Sequence, residues 1–192
     1  MSKLRTLIID NFYENPKEVR NFALQQKYEK VHLPRYHTKP FFTEEHIEIF
    51  QKLVEPFAGK IVKFDNDDND YNGSFNYSTC HYTAWNHIDK HDWAGIIYLT
   101  PDAPVSSGTN FYRFCDGTMC ENDMILKNNK SIIETSSCDV TKWDLVDSIG
   151  NIYNRLILYN SKYFHKAASY FGNDLESGRL FQVFFFNTEI PN

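Results

Sequence analysis

From Gly73 onward the apolar residues arrive in short bursts: SFNY, AGIIYLT, TNFYRF, RLILYN, KYFHKA and RLFQVFFFN. Turn-forming stretches such as PDAPVSSG and YFGNDLESG separate them. Bursts of this length, rich in β-branched and aromatic residues, are too short for helices and read as strands. Aromatics reach 16% of the chain, which suits a β-rich core. Brief connections between the bursts imply antiparallel hairpins. About seven or eight strands in this arrangement demand a closed or two-layered β structure, because an open sheet would leave apolar faces and edges exposed.

The first 72 residues have a different pattern. Residues 4–12, LRTLIIDNF, read as a strand. Asn15 is placed to cap a helix, with Pro16 at its first position and Glu18 three residues on, and the helix should fade near Tyr28. Residues 30–42, which hold Pro34 and Pro40, read as an irregular connection. Thr43 can cap a second helix over 44–57, where Ile47, Phe50, Val54 and Phe57 recur at helical spacing and Pro56 and Gly59 mark the end. A further short helix is expected over 141–149, with Trp143, Val146 and Ile149 on one face. The expected fold is mainly β with flanking helices: an antiparallel sandwich rolled into a jelly roll, the helices packed on one face. Residues 1–72 form the supporting segment and 73–192 the core, within one domain of 192 residues.

Composition narrows the function. With 42% hydrophobic and 23% charged residues the chain reads as globular. A formal net charge of -5 disfavours nucleic acid as a bulk electrostatic partner. No run has the length of a membrane-spanning helix, and the N-terminus lacks the apolar core of a signal peptide, so the cytosol is the expected location. Cys80, Cys115, Cys120 and Cys138 form no C-x-x-C pair, which disfavours a zinc knuckle and suggests reduced thiols. The acidic stretch 65–73, DNDDNDYNG, fails the calcium-loop pattern: its sixth and twelfth positions hold Asp70 and Asn76, not Gly and Glu. It reads as a solvated turn.

The chemistry-bearing residues begin at His87 and Asp89, an H-x-D triplet next to the strand AGIIYLT. Alternate residues of an extended segment share a face, so both side chains can point to one place. His165, after the apolar run LILYNSKYF, can supply a second histidine from another strand. Two histidines and one carboxylate are the donor set of a non-haem Fe(II) site with open positions. Arg179 then opens RLFQVFFFN, a strand without an acidic residue. A guanidinium beginning a buried strand needs a partner, and a bound carboxylate can take it in bidentate fashion. Upstream, Ser74, Asn76, Ser78, Cys80 and Tyr82 alternate with Phe75, Tyr77 and His81, so a small polar face could wall a wet pocket.

The pieces CHYTAWNHID, GIIYLT, GTNFYRF, NRLILYNSKYFHKA and RLFQVFFFN, in that order, resemble the Fe(II)/2-oxoglutarate-dependent oxygenases, in particular their prolyl-hydroxylase-like branch. The resemblance spans about residues 74–187 and implies a double-stranded β-helix, the cupin-like form of the jelly roll. It implies Fe(II) held by His87, Asp89 and His165, with 2-oxoglutarate and O2 as co-substrates and ascorbate as an optional reductant. Arg179 would bind the distal carboxylate of 2-oxoglutarate. Tyr82 would line the same pocket, and Tyr98 could hydrogen-bond that carboxylate. The implied reaction is hydroxylation of a C–H bond on an amino acid, peptide or related small molecule, with release of succinate and CO2. Two departures stand out. Phe181 occupies the place where the family often has Ser or Thr, and residues 115–150 are long and irregular.

Other readings stand beside this one. The jelly roll could be a non-catalytic binding or structural module, or a cupin-like metalloenzyme that does not use 2-oxoglutarate. His91 shares the parity of His87 and Asp89 but lies outside the family pattern, and a solvent-facing rim position is expected for it. Trp85 and Trp93 could line a substrate mouth or pack in the core. Arg113 could meet substrate or a surface acid. Phe184, Phe185 and Phe186 read as packing. Substrate choice is expected to reside in 30–42, 65–73 and 115–150, because irregular segments carry specificity.

Overall fold

A computed structural model describes residues 4–32, 35–64 and 71–189. Its elements are, in order, β1 (Thr6–Ile9), α1 (Pro16–Leu24), β2 (Glu29–His32), β3 (Arg35–Pro40), α2 (Glu44–Ala58), β4 (Lys60–Lys63), β5 (Ser74–Ser78), β6 (Trp93–Tyr98), β7 (Thr109–Phe114), α3 (Glu121–Lys127), α4 (Lys130–Thr135), β8 (Trp143–Ile149), β9 (Leu156–Asn160), β10 (His165–Ala167) and β11 (Arg179–Glu189). The larger sheet runs β1-β9-β6-β11-β5-β3-β2, with β4 also paired to β11. The smaller runs β10-β7-β8. Every pairing is antiparallel, as a jelly roll requires.

Alternation along the central strands explains the layers. On β6, Trp93 and Ile97 face one core, while Ala94, Ile96 and Tyr98 face another. On β11, Leu180, Phe184 and Phe186 join the first core, and Phe181 and Val183 join the second. The first core lies under the helices, which contribute Ala23 of α1 and Phe50, Val54 and Ala58 of α2. The second lies between the two sheets and includes Phe111 of β7. Both faces of the central strands are thus covered, and their sequences read as continuous apolar runs for that reason. The phenylalanine run is split by the same alternation. Phe50 stands edge-on to Phe184 at 4.9 Å between ring centres, whereas Phe185 faces the inter-sheet side.

Several boundaries differ from the sequence expectation. The first helix stops at Leu24 rather than near Tyr28. Residues expected to be irregular between 30 and 42 include the β2–β3 hairpin, which extends the large sheet beyond β5. The expected helix over 141–149 is instead β8, hydrogen-bonded along β7. Trp143 and Ile149 are buried as a helical reading would also have it, but spacing by threes cannot see the partner strand that satisfies the backbone. Helices α3 and α4, inside the irregular 115–150 segment, were not foreseen. The strand expected to run through Tyr82 ends at Ser78, and a turn at 80–81 removes His81 from the Phe75 face. Most of the acidic turn, residues 65–70, lies outside the described residues, as does Pro34. Among the described residues no helix is long and apolar enough to cross a membrane.

Candidate metal centre and anion pocket

His87 lies in the loop between β5 and β6, not within a regular strand. It reaches His165 through an isolated antiparallel bridge: the His165 amide donates to the His87 carbonyl at 2.9 Å, and the reverse bond is 3.2 Å. The Asp89 amide is tied to the Ser161 carbonyl at 2.9 Å. Backbone pairing therefore brings the H-x-D triplet against the start of β10. The two imidazole centres stand 4.6 Å apart.

The tautomers follow from the partners. Nδ1 of His87 lies 3.0 Å from the Trp85 carbonyl, and Nδ1 of His165 lies 2.8 Å from the Tyr163 carbonyl. A ring nitrogen at that distance from a carbonyl carries the proton, so each neutral ring presents a lone pair at Nε2. Both Nε2 atoms face Asp89, that of His165 at 3.2 Å and that of His87 at 3.6 Å. Lone pairs aimed at a carboxylate need a cation or proton among them. The three donor atoms lie within 4.8 Å of one another, so two nitrogens and one oxygen fit a single metal ion. Burial, and then the neighbouring His165, push the His87 pKa down, which keeps the ring available as a neutral ligand. Burial pushes Asp89 up, but His165, His87 and Arg35 together outweigh it and hold the carboxyl below its ordinary value.

These residues line one cavity of about 220 Å³ together with Arg179, Tyr82, Thr109 and Phe181. Arg179 is 2% exposed. Its Nε donates to the Ser107 carbonyl at 3.0 Å and one terminal nitrogen donates to the Gly108 carbonyl at 3.4 Å. The guanidinium carbon lies 5.3 Å from the Tyr98 ring centre and 4.7 Å from that of Phe181. Phe181 thus packs on the arginine where a hydroxyl residue was noted as missing. Tyr98 is fully buried, and its hydroxyl meets the Thr109 hydroxyl at 2.9 Å. Tyr82 stands edge-on to Tyr170 at 4.9 Å.

His91 departs from expectation. It is 4% exposed, not a solvent-facing rim residue, and its ring stacks on Phe185 at 5.6 Å. Trp93 is core, while Trp85 is exposed at the mouth of the cavity. Arg113 pairs with Asp144 at 3.0 Å on the surface. Sequence reasoning singled out none of the cavity residues Arg35, from the segment read as irregular, Tyr159, Lys166 and Tyr170. Only strand pairing could have found Arg35. A second cavity of about 340 Å³ adjoins the first through Trp85 and His87, walled by Met124 of α3 and Ile133 of α4.

The chain has the fold of the Fe(II)/2-oxoglutarate-dependent oxygenases. It superposes on HygX from Streptomyces hygroscopicus with nickel and 2-oxoglutarate bound, at a TM-score of 0.61 and 12% identity, covering 96% of this chain and 83% of that one. The dioxygenase TqaL gives a TM-score of 0.51 at 11% identity, covering 97% and 84%. A prolyl-4-hydroxylase from Pseudomonas putida gives 0.50 at 10% identity, covering 96% and 92%. No protein-family model and no curated protein matches the chain by sequence.

Proposed function

We propose that the protein is a non-haem Fe(II)- and 2-oxoglutarate-dependent dioxygenase that hydroxylates a C–H bond of an amino acid, peptide or related small molecule. The observation that carries this reading is the convergence of the His87, His165 and Asp89 donor atoms in the cavity that also receives Arg179. A jelly-roll binding module has no need to aim two Nε2 lone pairs at a carboxylate. A cupin-like metalloenzyme without 2-oxoglutarate has no need for a buried guanidinium in the same cavity.

In this reading His87, Asp89 and His165 hold the metal, which when bound activates O2 for oxidative decarboxylation of 2-oxoglutarate to succinate and CO2. Arg179 receives the distal carboxylate of the co-substrate. The Ser107 and Gly108 carbonyls fix one side of its fork, leaving the other side for the ligand. Tyr98 holds Thr109 and supports Arg179 from behind. Tyr82 and Phe181 form cavity wall and limit water. The adjoining cavity under α3 and α4 offers room for the far end of a substrate.

Anaerobic addition of Fe(II) and 2-oxoglutarate should give a weak visible charge-transfer band, and aerobic incubation should give succinate. Asp89→Ala should lose both. Folded, metal-loaded parent protein without band or succinate would overturn the reading.

A further inference from the structure

The cavity holds a second guanidinium that the metal and 2-oxoglutarate do not account for. Arg35 of β3 and Arg179 of β11 are both register partners of Ser78 on β5. Directly paired residues project to the same face of a sheet, so the two arginines flank Ser78 on the cavity side. Two strand spacings separate their backbones, about 10 Å. Arg35, Ser78 and Arg179 all line the cavity with His87 and Asp89.

The surroundings of Arg35 hold the guanidinium without a direct ion pair among the described residues, although the Asp89 carboxylate feels its charge across the cavity. Its guanidinium carbon sits 5.0 Å from the Tyr71 ring centre. Burial opposes its charge, and the Tyr71 and Tyr82 hydroxyls more than offset that. Among the described residues Arg35 takes part in no salt bridge. A partly buried cation with no direct ion pair among the described residues is stabilised when a ligand supplies one. Lys166, another cation on the cavity wall, places its ammonium 5.1 Å from the Tyr112 ring centre. With Fe(II) and 2-oxoglutarate in place, Asp89 cancels one metal charge. The two co-substrate carboxylates cancel the other and Arg179. Arg35 and Lys166 are left over; the Lys166 ammonium lies over Tyr112, which is not a cavity residue, and one further carboxylate neutralises Arg35.

Resting on the oxygenase reading, we propose that Arg35 seats a carboxylate of the hydroxylated substrate, which is therefore an amino acid, small acid or peptide with a free carboxyl end. The planar fork suits that group.

The test uses the twenty L-amino acids and a set of dipeptides, each as free acid and as C-terminal amide. Binding is measured by anaerobic titration calorimetry on metal-free protein and on protein with Fe(II) and 2-oxoglutarate. At least one acid should bind tenfold or more tightly than its amide. Arg35→Gln should reduce that preference below twofold with 2-oxoglutarate affinity within twofold of the parent, and Arg35→Lys should retain part of it. Arg179→Gln should weaken 2-oxoglutarate instead. The proposal is overturned if no acid outbinds its amide, or if Arg35→Gln weakens 2-oxoglutarate as much as Arg179→Gln does. If the parent binds no 2-oxoglutarate, the oxygenase reading fails by itself. The acid–amide preference on metal-free protein still reports on Arg35.

Discussion

Gly108 shows how tightly single residues determine the anion pocket. A β-carbon there would stand 1.8 Å from the Ile149 carbonyl oxygen and 2.8 Å from the Asn151 amide nitrogen. Both are backbone, so neither can rotate away. The Gly108 carbonyl is also a seat for Arg179. Gly108→Ala should therefore destabilise the fold by about 1–3 kcal/mol, the usual range for overpacking. It should also weaken 2-oxoglutarate binding in the protein that remains folded, measured by urea titration and by the visible band. Tyr98→Phe removes a buried hydroxyl that is hydrogen-bonded to Thr109 and Arg179 and should lower stability by about 1 kcal/mol. Legibility at this scale was uneven. His87, Asp89, His165 and Arg179 could be named from residue type and order. The Arg35 role could not, because its relation to Ser78 exists only across two strands.

At the scale of elements, α2 is attached to the sheet by aromatic packing remote from the cavity. Phe50 is fully buried and also stacks on Phe186 at 6.0 Å. Phe50→Ala should cost about 3–5 kcal/mol of stability and leave 2-oxoglutarate affinity of the folded fraction unchanged. The α3–α4 segment is held differently. Asp116 accepts from the Thr118 amide at 2.9 Å and from its hydroxyl at 2.6 Å, and Asn129 also donates to it. Burial raises the Asp116 pKa, but these donors outweigh it and hold the group low. A depressed folded pKa means that the stabilisation is present above the unfolded value, about 3.9, and is lost as pH falls through the folded one. Amide exchange in α3 and α4 should therefore accelerate under acid. Asp116→Asn should show the faster exchange already at pH 7. The 115–150 segment read as irregular because its short helices are specified by such side-chain ties rather than by periodicity. Residues 141–149 misread as helix for a related reason: β7 supplies the hydrogen bonds that make β8 a strand.

At the scale of the whole molecule, the candidate ligands His87, Asp89 and His165 come from segments far apart in sequence, so a metal held by them would tie those segments together. A ligand that binds only the folded state stabilises it by about 2.7 kcal/mol at one hundred times its dissociation constant. For a domain of this size that corresponds to a rise in Tm of about 5–10 °C. Mn(II), as a redox-stable probe in calorimetry, should give such a rise in the parent protein, EDTA should reverse it, and Asp89→Ala should show none. The jelly roll itself was legible because its strands are buried on both faces and so appear as dense aromatic and β-branched bursts. From sequence alone came the β class, the helix at 44–57, the three metal-ligand candidates and Arg179, since each depends on local pattern or residue chemistry. Only the tertiary structure placed the β2–β3 hairpin in the large sheet, buried His91 against Phe185, and set Arg35 beside the cavity. Those outcomes depend on which strands become neighbours, and long-range pairing leaves no periodic trace in the chain.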